Sequence, residues 1–305
     1  MYHFIVNPNS RSGLGLSLWA QIEPELQKRK IDYTVFFTQY QKHAWEYTEK
    51  LTSDHTYHTL VVLGGDGTVN EVINGIQDFS KVTLGYIPTG SSNDFARSFK
   101  IPSDPLKALE IILSPSGYSY MDVGCISYQN KKRRFAVSSG IGFDAGICHE
   151  AVVSRFKIWL NKIRLGKFTY SLIALHRLFL TIPADITLQL DERKPVVFRK
   201  GWFVTVMNHP FEGGGLKFCP AAKPNDGYLD IIVVSGFSPL RLLSVLPFAF
   251  AGLHTRFRGI RTFRCKTAEI TTTRTLPVHT DGEPVFLQRH LCVSMEKKRL
   301  KIIIS

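Results

Sequence analysis

The sequence predicts an α/β unit built on a parallel sheet, followed by a second unit that is mainly β. Three observations carry this. Short apolar, β-branched runs alternate with segments of helical periodicity through about residue 121. Beyond Met121 the strand-like runs shorten, and glycine and proline turns separate them. Three polar loops, at 7–13, 64–68 and 88–94, each follow a strand-like run. Strands alternating with helices form parallel βαβ units. Such sheets bind ligands beyond the carboxyl ends of their strands, so the three loops are expected to line one crevice.

Tyr2–Val6 ("YHFIV") reads as a strand, and Leu14 to about Lys30 as a helix. Asp32–Thr38 is the next strand, followed by a helix from about Gln41 to Leu51. Thr59–Leu63 ("TLVVL") is strongly apolar and reads as a buried strand; Val69, Val72, Ile73 and Ile76 then recur at helical spacing. Val82–Ile87 is a further strand and runs into "PTGSSNDFAR". The second unit shows strand-like runs at 122–128, 134–139, 185–190, 196–199, 202–207, 228–234, 268–273, 276–279 and 291–295. The expected division is therefore 1–121 and 122–295, with a strand in 296–305 ("RLKIII") able to return to the first unit. Segment 151–182 reads as helical and interleaves Phe156, Trp159 and Leu160 with Arg155, Lys157, Lys162, Arg164, Lys167 and Arg177. It suits a membrane surface and the covering of the β unit equally well.

A chain of 305 residues, 44% hydrophobic, buries a large core. Its amino terminus lacks the basic lead and long apolar run of a signal peptide. Its longest charge-free apolar run, within Leu242–Leu253, is too short to span a bilayer and contains Pro247. Five scattered cysteines without a CxxC pair fit free thiols in a reducing cytoplasm and no zinc site. The net charge of +13 favours polyanions: nucleic acid, anionic lipid or phosphorylated small molecules. Nucleic-acid binders carry aromatic stacking platforms or groove-reading helices. Neither is evident, so nucleic acid is not an expected partner.

In "GGDGT", Gly64, Gly65 and Gly67 permit positive φ and close backbone approach. Thr68 is placed to cap the following helix, and a helix start attracts phosphate. Asp66 then makes sense within a metal or water network linking phosphates to the protein; the plain alternative is a tight turn with an incidental acid. "NPNSRSG" (Asn7–Gly13) supplies short donors, a compliant backbone and the charge of Arg11 ahead of a helix, as a phosphate loop would, without being a Walker motif. Asn93 and Asp94 are candidate helix caps in a third polar loop.

These motifs, with "GIGFDA" (Gly140–Ala145), "GGGLKFCPAAKPNDGYLDI" (Gly213–Ile231) and "DGEP" (Asp281–Pro284), come in an order that resembles the soluble bacterial diacylglycerol kinases. That family is related to sphingosine and ceramide kinases. GGDGT alone is shared with NAD kinases and phosphofructokinase-like folds. Ser91-Ser92 departs from the threonine that more often follows the glycine.

The resemblance implies a phosphofructokinase/NAD-kinase-like N-terminal domain, a β-sandwich-like second domain and an active site in the cleft between them. It implies ATP near Asn7, Asn9, Ser10, Gly13 and Thr38, with Gly64, Gly65, Asp66, Gly67, Thr68, Asn70 and Glu71 in the phosphate loop and Thr89 opposite. It implies a structural magnesium on the Asp226 side chain and the backbone oxygens of Lys223 and Tyr228, a chemistry suited to that ion. Asp-Gly is also a strong hairpin signal, but the family places its catalytic base in this motif. Asp281 and Glu283 are the candidates, with Glu283 ranked ahead; a carboxylate is a usual acceptor for an alcohol proton. The expected activity is ATP- and Mg²⁺-dependent phosphorylation of a lipid alcohol such as diacylglycerol, giving a phospholipid. The enzyme would be cytoplasmic, held peripherally at the anionic inner face of the membrane, with a homodimer left open. An NAD kinase and a non-enzymatic lipid-binding protein are the alternatives.

Overall fold

The computed structural model describes residues 1–11, 13–153 and 169–305. The first hundred or so residues give β1 (Tyr2–Val6), α1 (Leu14–Lys28), β2 (Tyr33–Phe37), α2 (His43–Thr52), β3 (His58–Gly64), α3 (Asp66–Gly75), β4 (Val82–Pro88), α4 (Asp94–Phe99), α5 (Pro105–Leu113) and β5 (Gly117–Met121). Strands β2, β1, β3 and β4 lie side by side and parallel. Alternate residues face opposite sides, as the pleat requires. Ile5, Leu60, Val62 and Leu84 pack with Val69, Val72 and Ile73 of α3. Phe4, Val6, Val61 and Leu63 pack with Trp19, Ile22 and Leu26 of α1 and with Leu109 and Ile112 of α5.

The second unit contains β6 (Gly124–Tyr128), β7 (Lys131–Phe135), β8 (Ser138–Gly142), α6 (Phe143–Val153), α7 (Thr169–Leu180), β9 (Ala184–Leu190), β10 (Val196–Met207), β11 (Leu229–Ser235), α8 (Pro239–Ala251), β12 (Ile260–Cys265), β13 (Ala268–Thr280) and β14 (Glu283–Met295). Nine strands are hydrogen-bonded in the order β12-β11-β10-β8-β13-β14-β6-β7, with β9 pairing both β10 and β13. The long strands β10 and β13 each pair with β8 along one part and with β9 along another. The sheet therefore curls back on itself around Ile141, Ile186, Leu188, Val204, Ile270 and Val278, which is the sandwich-like character expected. The runs at 196–199 and 202–207 are one strand, bent where its register shifts around Gly201. Those at 268–273 and 276–279 are likewise one strand.

Strand β12 was not expected: Arg261 and Arg264, three residues apart and exposed at a sheet edge, break the period-2 pattern. Helix α8 was expected only as an apolar run. It tolerates Pro247 inside it and is bounded by Ser238, whose side chain accepts from Arg241 N, and by Gly252 in the left-handed region. Of the basic segment, Arg155, Lys157, Lys162, Arg164 and Lys167, with Phe156, Trp159 and Leu160, lie outside the described residues. Among the described residues no helix is long and apolar enough to cross a membrane.

After β14 the chain forms β15 (Leu300–Ile304), which enters the first sheet between β4, to which it is parallel, and β5, to which it is antiparallel. Leu300 and Ile302 are fully buried there, and Lys301 lies over the Tyr118 ring. Ile302→Ala is expected to lower unfolding free energy by about 2–5 kcal/mol. Lys301→Ala is expected to cost under about 1 kcal/mol. Chemical denaturation of the two variants checks this.

Candidate active site

The loops after β1, β3 and β4 meet at the carboxyl edge of the parallel sheet, and direct bonds hold them together. Thr89 N–H donates to Gly64 O (2.8 Å) and the Thr89 hydroxyl to Ser10 Oγ (2.7 Å). Asn7 Nδ2 donates to Thr68 Oγ1 (3.2 Å), while Asn7 Oδ1 accepts from Asn9 N (3.1 Å). Between them opens a cleft of about 470 Å³. Asn7, Asn9, Ser10, Thr38, Gly65, Gly67, Thr68, Glu71 and Glu283 line it, together with Arg11 and Gly90. Gly13, Gly64, Asp66, Asn70 and Thr89 do not form its wall. Gln39, Tyr40 and Gln41 line it too. Sequence reading missed these three, although they sit in a βα loop of the same sheet edge.

The glycines of the central loop serve by their size. Gly65 is extended (φ −95°, ψ −177°), and Gly64 and Gly67 are absent from the left-handed region as well. A Cβ on Gly65 would meet Gly90 Cα at 3.3 Å, and one on Gly67 would meet the Glu283 carboxylate at 2.5 Å. Thr68 lies inside the first turn of α3 and does not cap it, since the cap residue is Gly65.

The acids of this loop turn away from it. Asp66 accepts from Asp94 N (3.1 Å) and Phe95 N (3.4 Å), so it caps α4, a task expected of Asn93 and Asp94. Burial raises its pKa to about 7, with the neighbouring Asp94 charge adding to the effect. Glu71 accepts from Lys42 N (2.7 Å) and Ala44 N (3.2 Å) and caps α2. Helices α1 and α3, whose starts flank the cleft, have no side-chain cap bond. Left without a side-chain cap, these starts and their dipoles are the anion-seeking ends. Asn70 is fully buried, and its amide is committed to Asp281 Oδ2 (2.8 Å) and Arg134 O (3.1 Å), behind the cleft lining.

Asp281 and Gly282, both at positive φ, form the two-residue turn between β13 and β14. The Asp281 carboxylate takes four hydrogen bonds: Ala136 N and Asn70 Nδ2 on one oxygen, Val137 N and Ser138 N on the other, all within 2.7–3.0 Å. With its lone pairs so engaged, it is a structural acid. Glu283 is different. Its carboxylate reaches over Gly67 into the cleft, with Gln41 Nε2 at 3.3 Å as its hydrogen-bond partner.

Beneath this turn lies a cluster that sequence reading did not assemble. His279 is fully buried, and its Nε2 faces Glu212 Oε1 (3.2 Å) and Asp144 Oδ2 (3.3 Å). Gly282 N lies 3.2 Å from its Nδ1. Burial works against the charged ring, but the Asp144 hydrogen bond and the Glu212 charge outweigh it and raise the pKa. Asp144 stands in the "GIGFDA" motif; Glu212 and His279 carried no signal of their own.

The turn expected to hold magnesium is latched otherwise. Asp226 Oδ2 pairs with the Arg264 guanidinium and its Oδ1 accepts from Tyr228 N (3.1 Å). Arg264 also lies over the Tyr228 ring (4.4 Å). Gly227 N and Arg299 Nε donate to Asp122, each at 2.7 Å. Asp226, the carboxylate expected to bind the ion, is thus already neutralised by a guanidinium, so the expected set does not fit a resident metal ion.

The comparisons with known proteins agree with this fold. A family profile described as the diacylglycerol kinase catalytic domain matches residues 1–126. A second, described as the YegS C-terminal NAD kinase beta sandwich-like domain, matches residues 139–298. The provisionally named lipid kinase YtlR of Bacillus subtilis (strain 168) is 31% identical over 288 residues, 92% of this chain and 93% of its own. The crystal structure of a provisionally named diacylglycerol kinase from Bacillus anthracis str. Sterne superposes with a TM-score of 0.78 at 24% identity, covering 100% of this chain and 95% of that one. An NAD kinase from Archaeoglobus fulgidus, solved with ATP, shares the fold at a TM-score of 0.52 and 12% identity, over 99% and 93% of the two chains. The full-length match to YtlR, with both halves covered by the two profiles, decides between these neighbours: the chain belongs to the bacterial diacylglycerol kinase family of lipid kinases, which are ATP-dependent phosphotransferases.

Proposed function

We propose that this chain transfers the terminal phosphoryl group of ATP to the hydroxyl of diacylglycerol or a similar lipid alcohol at an anionic membrane surface on the cytoplasmic side, giving a phospholipid such as phosphatidic acid. One observation carries the reading: Glu283 presents an open carboxylate over the first turn of α3, while its neighbour Asp281 is saturated by four donors. The triphosphate would lie against the uncapped start of α3, with Asn7, Asn9, Ser10 and Arg11 supplying donors and charge from the facing loop. Glu283 would take the hydroxyl proton as the alcohol attacks. Magnesium carried in with the triphosphate supplies charge neutralisation. Asp66 acts one step back, by fixing the start of α4 beside the cleft.

Glu283→Gln is expected to lower kcat by about 10²–10⁴-fold, with ATP affinity nearly unchanged. Asp281→Asn replaces an acceptor oxygen with a donor facing N–H groups, so it is expected to lower the melting temperature as well as activity. Steady-state kinetics with calorimetry separates the two, and full turnover by Glu283→Gln on a confirmed lipid substrate overturns the assignment.

A pH dependence follows from Asp66. Its folded pKa, about 7, lies above the ordinary carboxylate value of 3.8, so folding favours its protonated form. The associated stability is full below the unfolded pKa and is lost as pH rises through about 7. The melting temperature of the wild type should therefore fall more between pH 5 and pH 8 than that of Asp66→Asn; parallel profiles refute this.

The metal-free latch gives a third expectation. EDTA should leave the melting temperature of the nucleotide-free protein unchanged, and Arg264→Gln should lower it. A rise of several degrees on adding Mg²⁺ to the wild type would return the ion to Asp226.

A further inference from the structure

Helix α8, PLRLLSVLPFAFA, contains one charged residue, Arg241, and one hydroxyl, Ser244. A helix apolar on all sides is ordinarily buried in a core or in lipid. This one lies on the surface. Val245 and Ala249 point into the core, and Leu242 packs against the same cluster. Leu240 is 70% exposed and Phe250 59%, with Leu243, Leu246 and Phe248 above 40%. Helix α7 is built alike: Leu178 enters the same core cluster as Val245, while Leu175, Phe179 and Leu180 face solvent. Two helices seated on one core cluster thus both turn large apolar side chains outward, which is more than the scattered exposure normal for a soluble surface.

The rim of this face is basic. Arg256, Arg258 and Arg261 follow the helix and are exposed, as is Arg241. Arg241 donates to Arg258 O (3.1 Å), which ties the helix start to that segment. Among the described residues none of the four arginines forms an ion pair; the nearby acid Asp226 is taken by Arg264. A second copy of this chain would set these arginines against their own copies on a molecule of net charge +13. An anionic bilayer satisfies both halves: acyl chains take the Leu and Phe side chains, and headgroups meet the arginines. The far end of α8 is also coupled to the cleft. Lys217 N donates to Ala249 O (2.9 Å), and Gly214 of the same loop donates to Asp94 (2.8 Å), the residue whose amide Asp66 caps.

We propose that α8 and the arginines after it are the surface by which the protein docks on an anionic lipid bilayer, with Leu240, Leu243, Leu246 and Phe250 entering the interface. This rests on the lipid-kinase reading above only in that the bilayer is where the acceptor lipid is met. The test uses the full chain with phosphatidylcholine vesicles with and without phosphatidylglycerol. The wild type should sediment with the anionic vesicles and less so as salt rises. Leu240→Ser with Phe250→Ser should weaken binding by about tenfold or more without lowering the melting temperature, since both side chains are mostly in water already. Turnover of a short-chain, water-soluble diacylglycerol should be unaffected in that variant. If even the wild type fails to turn over that lipid, the kinase reading falls while the vesicle result still decides the docking surface. As an independent readout, Leu243→Trp should gain fluorescence quenching by brominated lipid on vesicle binding. Unchanged vesicle binding by the serine variant, no gain in quenching, or loss of self-association in place of vesicle binding each overturns the proposal.

Discussion

The Asp281 carboxylate is the bolt between the two sheets. It sits at a hairpin tip, accepts three consecutive backbone N–H groups from the β7–β8 connection, and takes its fourth bond from Asn70 on α3. Arg134 holds the same helix at its other end, donating to the carbonyls of Ile73, Asn74 and Ile76 and to Glu296. Removing one partner of such a buried hydrogen-bond network costs about 1–3 kcal/mol. The geometry matters more than the energy. Helix α3 presents its start to the cleft and its body to this junction, so Glu283, two residues beyond Asp281, is held at a fixed position over Gly67.

A second constraint is the exchange of caps among the helices around the cleft. A helix start with unsatisfied N–H groups either takes a side-chain oxygen or waits for an anion. Asp66 is spent on α4 and Glu71 on α2. The starts of α1 and α3 are left uncapped, Gly13 and Gly65 being their cap residues. An aspartate in a glycine-rich anion loop is therefore no contradiction, because its carboxyl oxygens are directed at a neighbouring helix and burial disfavours its charge. The burial that this requires is what raises its pKa.

The parallel sheet was legible because β-branched runs and 3.6-residue spacing are local patterns, and the loops could be assigned to one edge because parallel strands all end there. The lining of the cleft followed for Asn7, Ser10, Thr38 and Gly67. What was not legible is where a side chain turns once its loop is placed. Asp66, Asn70 and Asp281 look alike as polar residues near motifs, and their roles are set by partners 28, 211 and 145 positions away. The bent strands β10 and β13 escaped for a related reason: a register shift at Gly201 or after Thr271 interrupts the period-2 pattern without ending the strand. The sandwich was therefore anticipated in kind and not in its pairing, and β12 was lost among its arginines.

Strand β15 has an implication for how the protein is made. The ribosome delivers β1 to β5 first, yet Met121 and Thr83 find their strand partners, Leu300 and Lys301, only after all nine strands of the other sheet have emerged. Until then β4 and β5 have an open slot between them, lined by apolar edges that invite foreign strands. Contacts separated by that much chain form slowly, so the nucleotide-side sheet is begun first and sealed last. The nascent chain is most open to mispairing in that interval, when β15 is still to be synthesised.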